Sequence, residues 1–211
     1  GSQWGWPRGY VELNMCTLGL GLYDERGGQG YYETRFGIRT VEREETASRF
    51  RPINGYYAWR FVINGVPMPI HGQNWGMLDS TNEKTEADYA RMLKLAEREH
   101  CNMLRVWGNG VIEISKFYEM CDEIGMMVFQ EWPLSACPHY TRKLQLMHDT
   151  VVRNMLVLRN LPSIVLWCGG NELNYQKHQP THNGIRMLGR IAYELDGTRP
   201  FHISEMGRQL P

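Results

Sequence analysis

The chain is poor in the features that mark a membrane protein, a nucleic-acid binder or a disulfide scaffold. Across 211 residues, 23 Lys plus Arg balance 23 Asp plus Glu. No net field therefore draws it to a polyanion or to an acidic membrane surface. No apolar run approaches bilayer length, so neither nucleic acid nor a membrane is expected as a partner. No signal peptide is visible at the start, and lysosomal, periplasmic, secreted and cytoplasmic locations all stay open. The five cysteines form no CxxC pair and no Cys/His ligand spacing, which leaves no metal site to expect. Their odd number also argues against a disulfide framework. Cys101, Cys121 and Cys168 stand in apolar surroundings, where a thiol serves as a small core residue. No GxGxxG follows a first strand and no P-loop occurs, so phosphate binding has little support.

What is present is an ordinary globular mixture, with 42% hydrophobic and 22% charged residues. The length fits one domain, or a small domain joined to part of a larger one. Two regimes meet near residue 60. Residues 10–45 hold two β-rich runs around the turn ERGGQG, read as a hairpin at the trailing edge of a β-domain. Residues 46–58 are polar and loop-like. Beyond Phe61 short apolar runs alternate with helical stretches. Strands are expected near residues 68, 103, 128, 165 and 201. Helices are expected over TEADYARMLKLAEREH (Ala87, Ala90, Leu93 and Ala96 inward), from a Ser115 cap to Glu123, through Leu144–Leu158, and from Ile185 to Leu195. Such alternation predicts βαβ units around a parallel sheet. Five strands and four helices make half to five-eighths of a (β/α)8 barrel, with a doubly wound open sheet as the alternative.

The polar residues recur where each apolar run ends. Gln73, Asn74, Trp75 and Asp79 follow the first; Arg105, Trp107 and Asn109 belong to the second. The third ends Gln130-Glu131-Trp132, the fourth Asn171-Glu172, and the fifth Ser204-Glu205. In a parallel α/β sheet these ends share one face, where active sites assemble. Tryptophans suit the C–H faces of a sugar; amides and Arg suit its hydroxyls; two carboxylates suit glycoside hydrolysis. Each residue alone also has a plainer reading. A Trp at a strand end packs as core or rim, Arg105 can be an internal ion-pair partner of Glu131, and either Glu can serve a helix N-terminus.

These segments resemble the β-mannosidase-like branch of glycoside hydrolase family 2. The resemblance is carried by CNMLRVWGNGVIEISKFYEMCDEIGMMVFQEW (101–132), HGQNWGMLDS (71–80) and LRNLPSIVLWCGGNE (158–172), with Leu161 where His is usual. RFGIRTVE (35–42) and WGWPRGY (4–10) are similar to the strands and junction of the immunoglobulin-like sandwich that precedes the barrel there. The resemblance implies a partial (β/α)8 TIM barrel over 59–211, preceded by the last strands of an immunoglobulin-like β-sandwich within 1–58. It implies a retaining exo-glycosidase acting on terminal β-D-mannosides without a cofactor. Glu172 becomes the general acid/base and Glu205, in HISEMGRQ, the nucleophile. Asn171, Trp75, Asp79, Arg105, Trp107 and Trp132 become substrate-binding residues. The partner is then a carbohydrate, a β-linked mannoside or related β-glycoside; a homo-oligomer stays open. β-Glucosaminidase, β-galactosidase or β-glucuronidase specificity is the alternative among enzymes, and a non-catalytic sugar-binding remnant the alternative outside them.

One feature departs from that pattern. Only 33 positions separate Glu172 from Glu205, whereas about two βα units, at roughly 30 residues each, separate their counterparts. Residues 196–204, DGTRPFHIS, resemble the approach to strand five joined directly to the strand-seven motif. A missing segment is therefore expected near residues 203–205. The chain would be joined parts of a larger protein, a truncated or engineered piece, or a naturally degenerate relative.

Overall fold

A computed structural model describes residues 15–45, 59–78, 81, 83–135, 143–173 and 179–204. The segment 1–14, the loop 46–58, Asp79, Cys137, Glu205 and the junction expected just before it lie wholly or partly outside these residues.

The N-terminal runs form the expected hairpin. β1 (Met15–Tyr23) pairs antiparallel with β2 (Gln29–Gly37) in unbroken register from Met15–Gly37 to Tyr23–Gln29. Asp24 closes the turn by accepting from the backbone N–H of Arg26 and of Gly28. These two strands are a sheet of their own, and a two-stranded sheet is not a sandwich. Three further strands make a second antiparallel sheet: β3 (Val41–Glu45), β4 (Trp59–Ile63) and β5 (Val66–Met68), in the order β3-β4-β5. Asn64 and Gly65, both at positive φ (52° and 76°), make the tight β4–β5 turn, the backbone that Asn-Gly favours. The run near residue 68 is thus a hairpin arm and not the first strand of the parallel sheet. That place is taken by β6 (Gly72–Trp75). The error arises because Val66–Met68 is the more apolar of two adjacent short strands.

The parallel sheet then runs β6, β7 (Met103–Val106), β8 (Met127–Glu131), β9 (Ile164–Cys168) and β10 (Phe201–His202), each strand beside its predecessor. The connecting helices are α1 (Glu86–Arg98), α2 (Ser115–Ile124), α3 (Leu144–Leu158) and α4 (Gln179–Leu195). Tyr89, Leu93 and Ala96 of α1, Phe117, Tyr118 and Cys121 of α2, Val151, Met155 and Leu158 of α3, and Leu188, Ile191 and Ala192 of α4 enter one core. Sequential strand order with every helix on the same face is the winding of a barrel wall. A doubly wound sheet would reverse its order and cover both faces with helices.

Local chemistry sets the helix limits. Thr85 and Asp88 form a reciprocal capping box at the start of α1. The buried face of α1 is Tyr89, Leu93 and Ala96, and the expected Ala87 and Ala90 face solvent. Ser115 is the first residue of α2 instead of its cap, which is Ile114 without a side-chain hydrogen bond. Gly125 ends α2 in the left-handed conformation at φ 69°.

The other face of the sheet carries a second core. Met103, Met127, Val165 and Leu166 pack there against Val41, Phe61, Ile63 and Met68, so the β3–β5 sheet closes the lower part of the barrel interior. Strand pairing between β8 and β9 shifts between Val128 and Phe129. The irregularity lets both Val165 and Leu166 face this core while Trp167 returns to the helix side.

Below the sheet a buried charged cluster ties the α3–β9 connection. Arg39 donates to the carbonyls of Pro162 and Ile164, and Arg199 to those of Arg159, Leu161 and Ile164. Asp122 accepts the Ser163 N–H at 2.7 Å. Burial pushes the Asp122 carboxyl up from 3.8 to about 6, against the opposing pull of that hydrogen bond and of Arg39 and Arg199. The folded state then holds more protons than the unfolded chain between those values, so stability falls as pH rises through that window. Asp122→Asn keeps an acceptor for Ser163 and removes the titration. Its melting temperature should fall less steeply than wild type from about pH 4 to pH 6; parallel curves would show that Asp122 does not titrate there.

Candidate active site

Strand parity decides which side chains reach the barrel interior. On β7, Arg105 faces inward between Leu104 and Val106, which face the helices. On β8, Phe129 and Glu131 face inward, whereas Gln130 points outward and accepts from the Tyr118 hydroxyl at 2.6 Å. On β9, Cys168 faces inward opposite Glu131.

At the C-terminal end of the sheet these residues meet. Arg105 Nε and Nη2 donate to Glu131 Oε1 at 3.0 and 2.8 Å. Nη2 also donates to Asn171 Oδ1 at 2.7 Å, and Nη1 to Asn74 Oδ1 at 3.2 Å. One guanidinium therefore joins β6, β7, β8 and the end of β9. Glu131 Oε2 accepts the Gly108 N–H at 2.6 Å, and the Cys168 thiol lies 3.7 Å from Oε1. Gly108 is required at its place, because a Cβ there would lie 2.6 Å from the Leu134 carbonyl oxygen and 3.1 Å from Glu131 Oε2. Glu131 is fully buried, while the Arg105 side chain retains 17% exposure, so the pair opens to solvent on the Arg side.

Asn171 is held through its backbone and both ends of its amide. Its backbone N–H donates to the Leu134 carbonyl, its Nδ2 to Ser135 Oγ at 3.0 Å, and Ser135 bridges to it as a short parallel extension of the sheet. The next residue, Glu172, is exposed, with φ 50°. A left-handed conformation is unfavourable for a residue that is neither Gly nor Asn, and such outliers gather at functional sites. Here Leu173 N–H donates to Ser204 Oγ, which donates to the Gly170 carbonyl, so the end of β10 pins the turn around Glu172.

The three tryptophans separate. Trp107 is 36% exposed beyond β7. Trp75 and Trp132 are buried on the helix side and present no open face to a ligand. Trp75 packs against Tyr89 and Phe117 and donates to Glu113 Oε1 at 3.1 Å. Trp132 stacks on Trp167 with ring centroids 5.6 Å apart and planes 2° from parallel. Parity carries the reason: both rings follow an inward residue, Asn74 and Glu131, and so point outward. The structure thus gathers Arg105, Asn171 and Glu172, with Trp107 on the next loop. Asp79 and Glu205 lie outside the described residues.

Sequence reading overlooked Glu113, Lys84 and Ser135. Glu113 is buried, accepts from Trp75, Lys84 Nζ (2.6 Å) and the Tyr89 hydroxyl (2.5 Å), and fixes the β7–α2 loop to α1. A lone Glu in VIEISK has no sequence signal for this, since its partners lie at least 24 positions upstream, on β6 and around the start of α1. Among the described residues no group of three or more His, Cys, Asp or Glu side chains is arranged to hold a metal ion.

This winding, with its polar rim at the C-terminal ends of the strands, is that of a TIM-barrel wall, and residues 60–210 match the family described as "Glycosyl hydrolases family 2, TIM barrel domain". The chain belongs to glycoside hydrolase family 2. It is similar to β-mannosidase B of Emericella nidulans, 34% identical over 83% of this chain and 20% of that protein. It is likewise similar to the β-mannosidase of Bos taurus, 34% identical over 93% of this chain and 24% of that one. Among solved structures it resembles the β-D-mannosidase of Dictyoglomus thermophilum, with a TM-score of 0.80 and 35% identity over 95% of this chain and 26% of that chain. An exo-chitosanase of Amycolatopsis orientalis, 18% identical with a TM-score of 0.76 over 95% of this chain and 23% of that one, shares the fold. The chain spans a fifth to a quarter of the length of these curated relatives.

Proposed function

We propose that this chain carries both catalytic carboxylates of a retaining exo-glycosidase that removes terminal β-D-mannosyl groups. The observation that carries the reading is Glu172: exposed at the end of β9, in a left-handed turn, directly after an asparagine clamped by Arg105. The mannosidases among its relatives support the choice of sugar. In the first step a carboxylate oxygen of Glu205 bonds to the anomeric carbon as the bond to the leaving oxygen breaks. The Glu172 proton moves to that oxygen. In the second step water attacks the same carbon, gives its proton to Glu172, and the bond to Glu205 breaks, releasing the sugar with retained configuration. The two carboxyl groups must come within about 5–5.5 Å for this. Asn171 and Arg105 meet sugar hydroxyls, and Trp107 offers the exposed aromatic face. Asp79, Trp75 and Trp132 belong to the same reading, the two buried rings as support behind the rim. Residues 1–58 belong in it to the last strands of an immunoglobulin-like sandwich and the linker that follows, β3 within that stretch pairing with β4.

The reading is tested with nitrophenyl β-mannoside, β-glucosaminide, β-galactoside and β-glucuronide, following the first-formed anomer by proton NMR. Preference for the mannoside with β-mannose appearing first is the expected result. Preference for another sugar, or α-mannose first, contradicts the specificity or the mechanism. Mannose binding without hydrolysis of any member would identify a sugar-binding remnant.

A further inference from the structure

We infer that Glu131 is a positioning residue: it fixes the plane of Arg105 and, through Arg105, the amide of Asn171 that adjoins the acid/base. The inference rests on the glycosidase reading for its consequence and on geometry for its substance. Both oxygens of Glu131 are committed, Oε2 to the Gly108 N–H and Oε1 to two N–H groups of Arg105. Because a backbone N–H holds Oε2 and the Glu131 side chain is fully buried, the scaffold sets where the two carboxylate oxygens sit. Arg105 grips Oε1 with both its Nε–H and one Nη2 hydrogen, and that two-point hold leaves its second Nη2 hydrogen on Asn171 Oδ1 and an Nη1 hydrogen on Asn74 Oδ1. Of the five N–H donors of a guanidinium, four are thereby assigned within the described residues, and one on Nη1 remains for a sugar hydroxyl. Acceptance at Oδ1 also decides the orientation of the Asn171 amide, whose Nδ2 has one hydrogen on Ser135 Oγ and a second for the ligand. Glu131 touches no ligand in this scheme. A plain ion pair would need only charge, whereas positioning needs two acceptor oxygens at fixed places.

Glu131→Gln separates these roles, since its amide nitrogen must face either Gly108 N–H or Arg105 as donor against donor. The experiment joins a double-mutant cycle of Glu131→Gln with Arg105→Ala to NMR of the Arg105 Nε–H, assigned by its loss in Arg105→Ala. Glu131→Gln is expected to lower kcat/KM for an aryl β-mannoside about 100-fold, the scale set by a misplacement of about 1 Å. The double variant should be no worse than Arg105→Ala, and the slowly exchanging Nε–H signal should vanish in Glu131→Gln. Losses that multiply, or an unchanged Nε–H signal, would overturn the inference. If Glu131→Gln fails to fold by circular dichroism, Glu131→Asp takes its place, too short to hold both partners and subject to the same outcomes. A wild-type protein that hydrolyses no glycoside while the signal still depends on Glu131 would sink the glycosidase reading and leave the positioning standing.

Discussion

Glu172→Gln is expected to reduce turnover of a β-mannoside with a poor, alkyl leaving group by three or more orders of magnitude, roughly the upper range for a general acid. A dinitrophenyl β-mannoside should lose far less in its first step, because that leaving group departs without a proton. Its second step still needs the base, so the glycosyl intermediate should accumulate and azide should restore turnover by attacking without base assistance. Steady-state rates across leaving groups, with and without azide, check this. Equal losses for both leaving groups, or no azide effect, would remove Glu172 from the acid/base role. The left-handed backbone at Glu172 adds a structural reason to use Gln, which preserves side-chain length where a β-branched residue would add strain.

Arg105→Met carries the largest expected cost to the fold itself. It removes the guanidinium from the fully buried Glu131 carboxylate, whose neighbours include the Gly108 N–H and the Cys168 thiol. Breaking a buried pair from one side costs about 3–5 kcal/mol, and the 17% exposure on the Arg side puts this case at the lower end. Protonating the stranded carboxyl relieves the cost, so the deficit relative to wild type should be greatest near neutral pH and shrink on acidification. The double substitution Arg105→Met with Glu131→Leu should recover much of the stability and none of the activity. Urea unfolding at two pH values checks both statements. A single substitution that unfolds at the wild-type midpoint would mean that water reaches Glu131.

Much of this arrangement is legible in the residues. The strands at Met103, Met127 and Ile164 declare themselves as short apolar runs with helices between, and the ends Arg105, Glu131 and Asn171 stand out as polar breaks in them. The pairing of Arg105 with Glu131 follows once both are placed inward on adjacent strands. The tryptophans are not legible in this way, because a Trp at a strand end serves equally as core or rim. Only the parity fixed by Asn74 and Glu131 shows that Trp75 and Trp132 face the helices. The first parallel strand is not legible from its residues, because Val66–Met68 and Gly72–Trp75 are both short, and the Asn64–Gly65 turn claims the former. Glu113 gives no such signal, because its partners Trp75, Lys84 and Tyr89 all lie in an earlier stretch of the chain, and nothing near it in sequence calls for a buried carboxylate.

The most direct test of the two-carboxylate account is to trap the glycosyl intermediate. Incubation with 2-deoxy-2-fluoro-β-mannosyl fluoride, then proteolysis and mass spectrometry, should place one fluoromannosyl ester on the peptide containing HISEMGRQ, at Glu205. The same labelling in Glu172→Gln should still occur, because fluoride leaves without acid assistance. An ester on any other carboxylate, or active hydrolysis without a trapped ester, would contradict the pairing of Glu172 with Glu205.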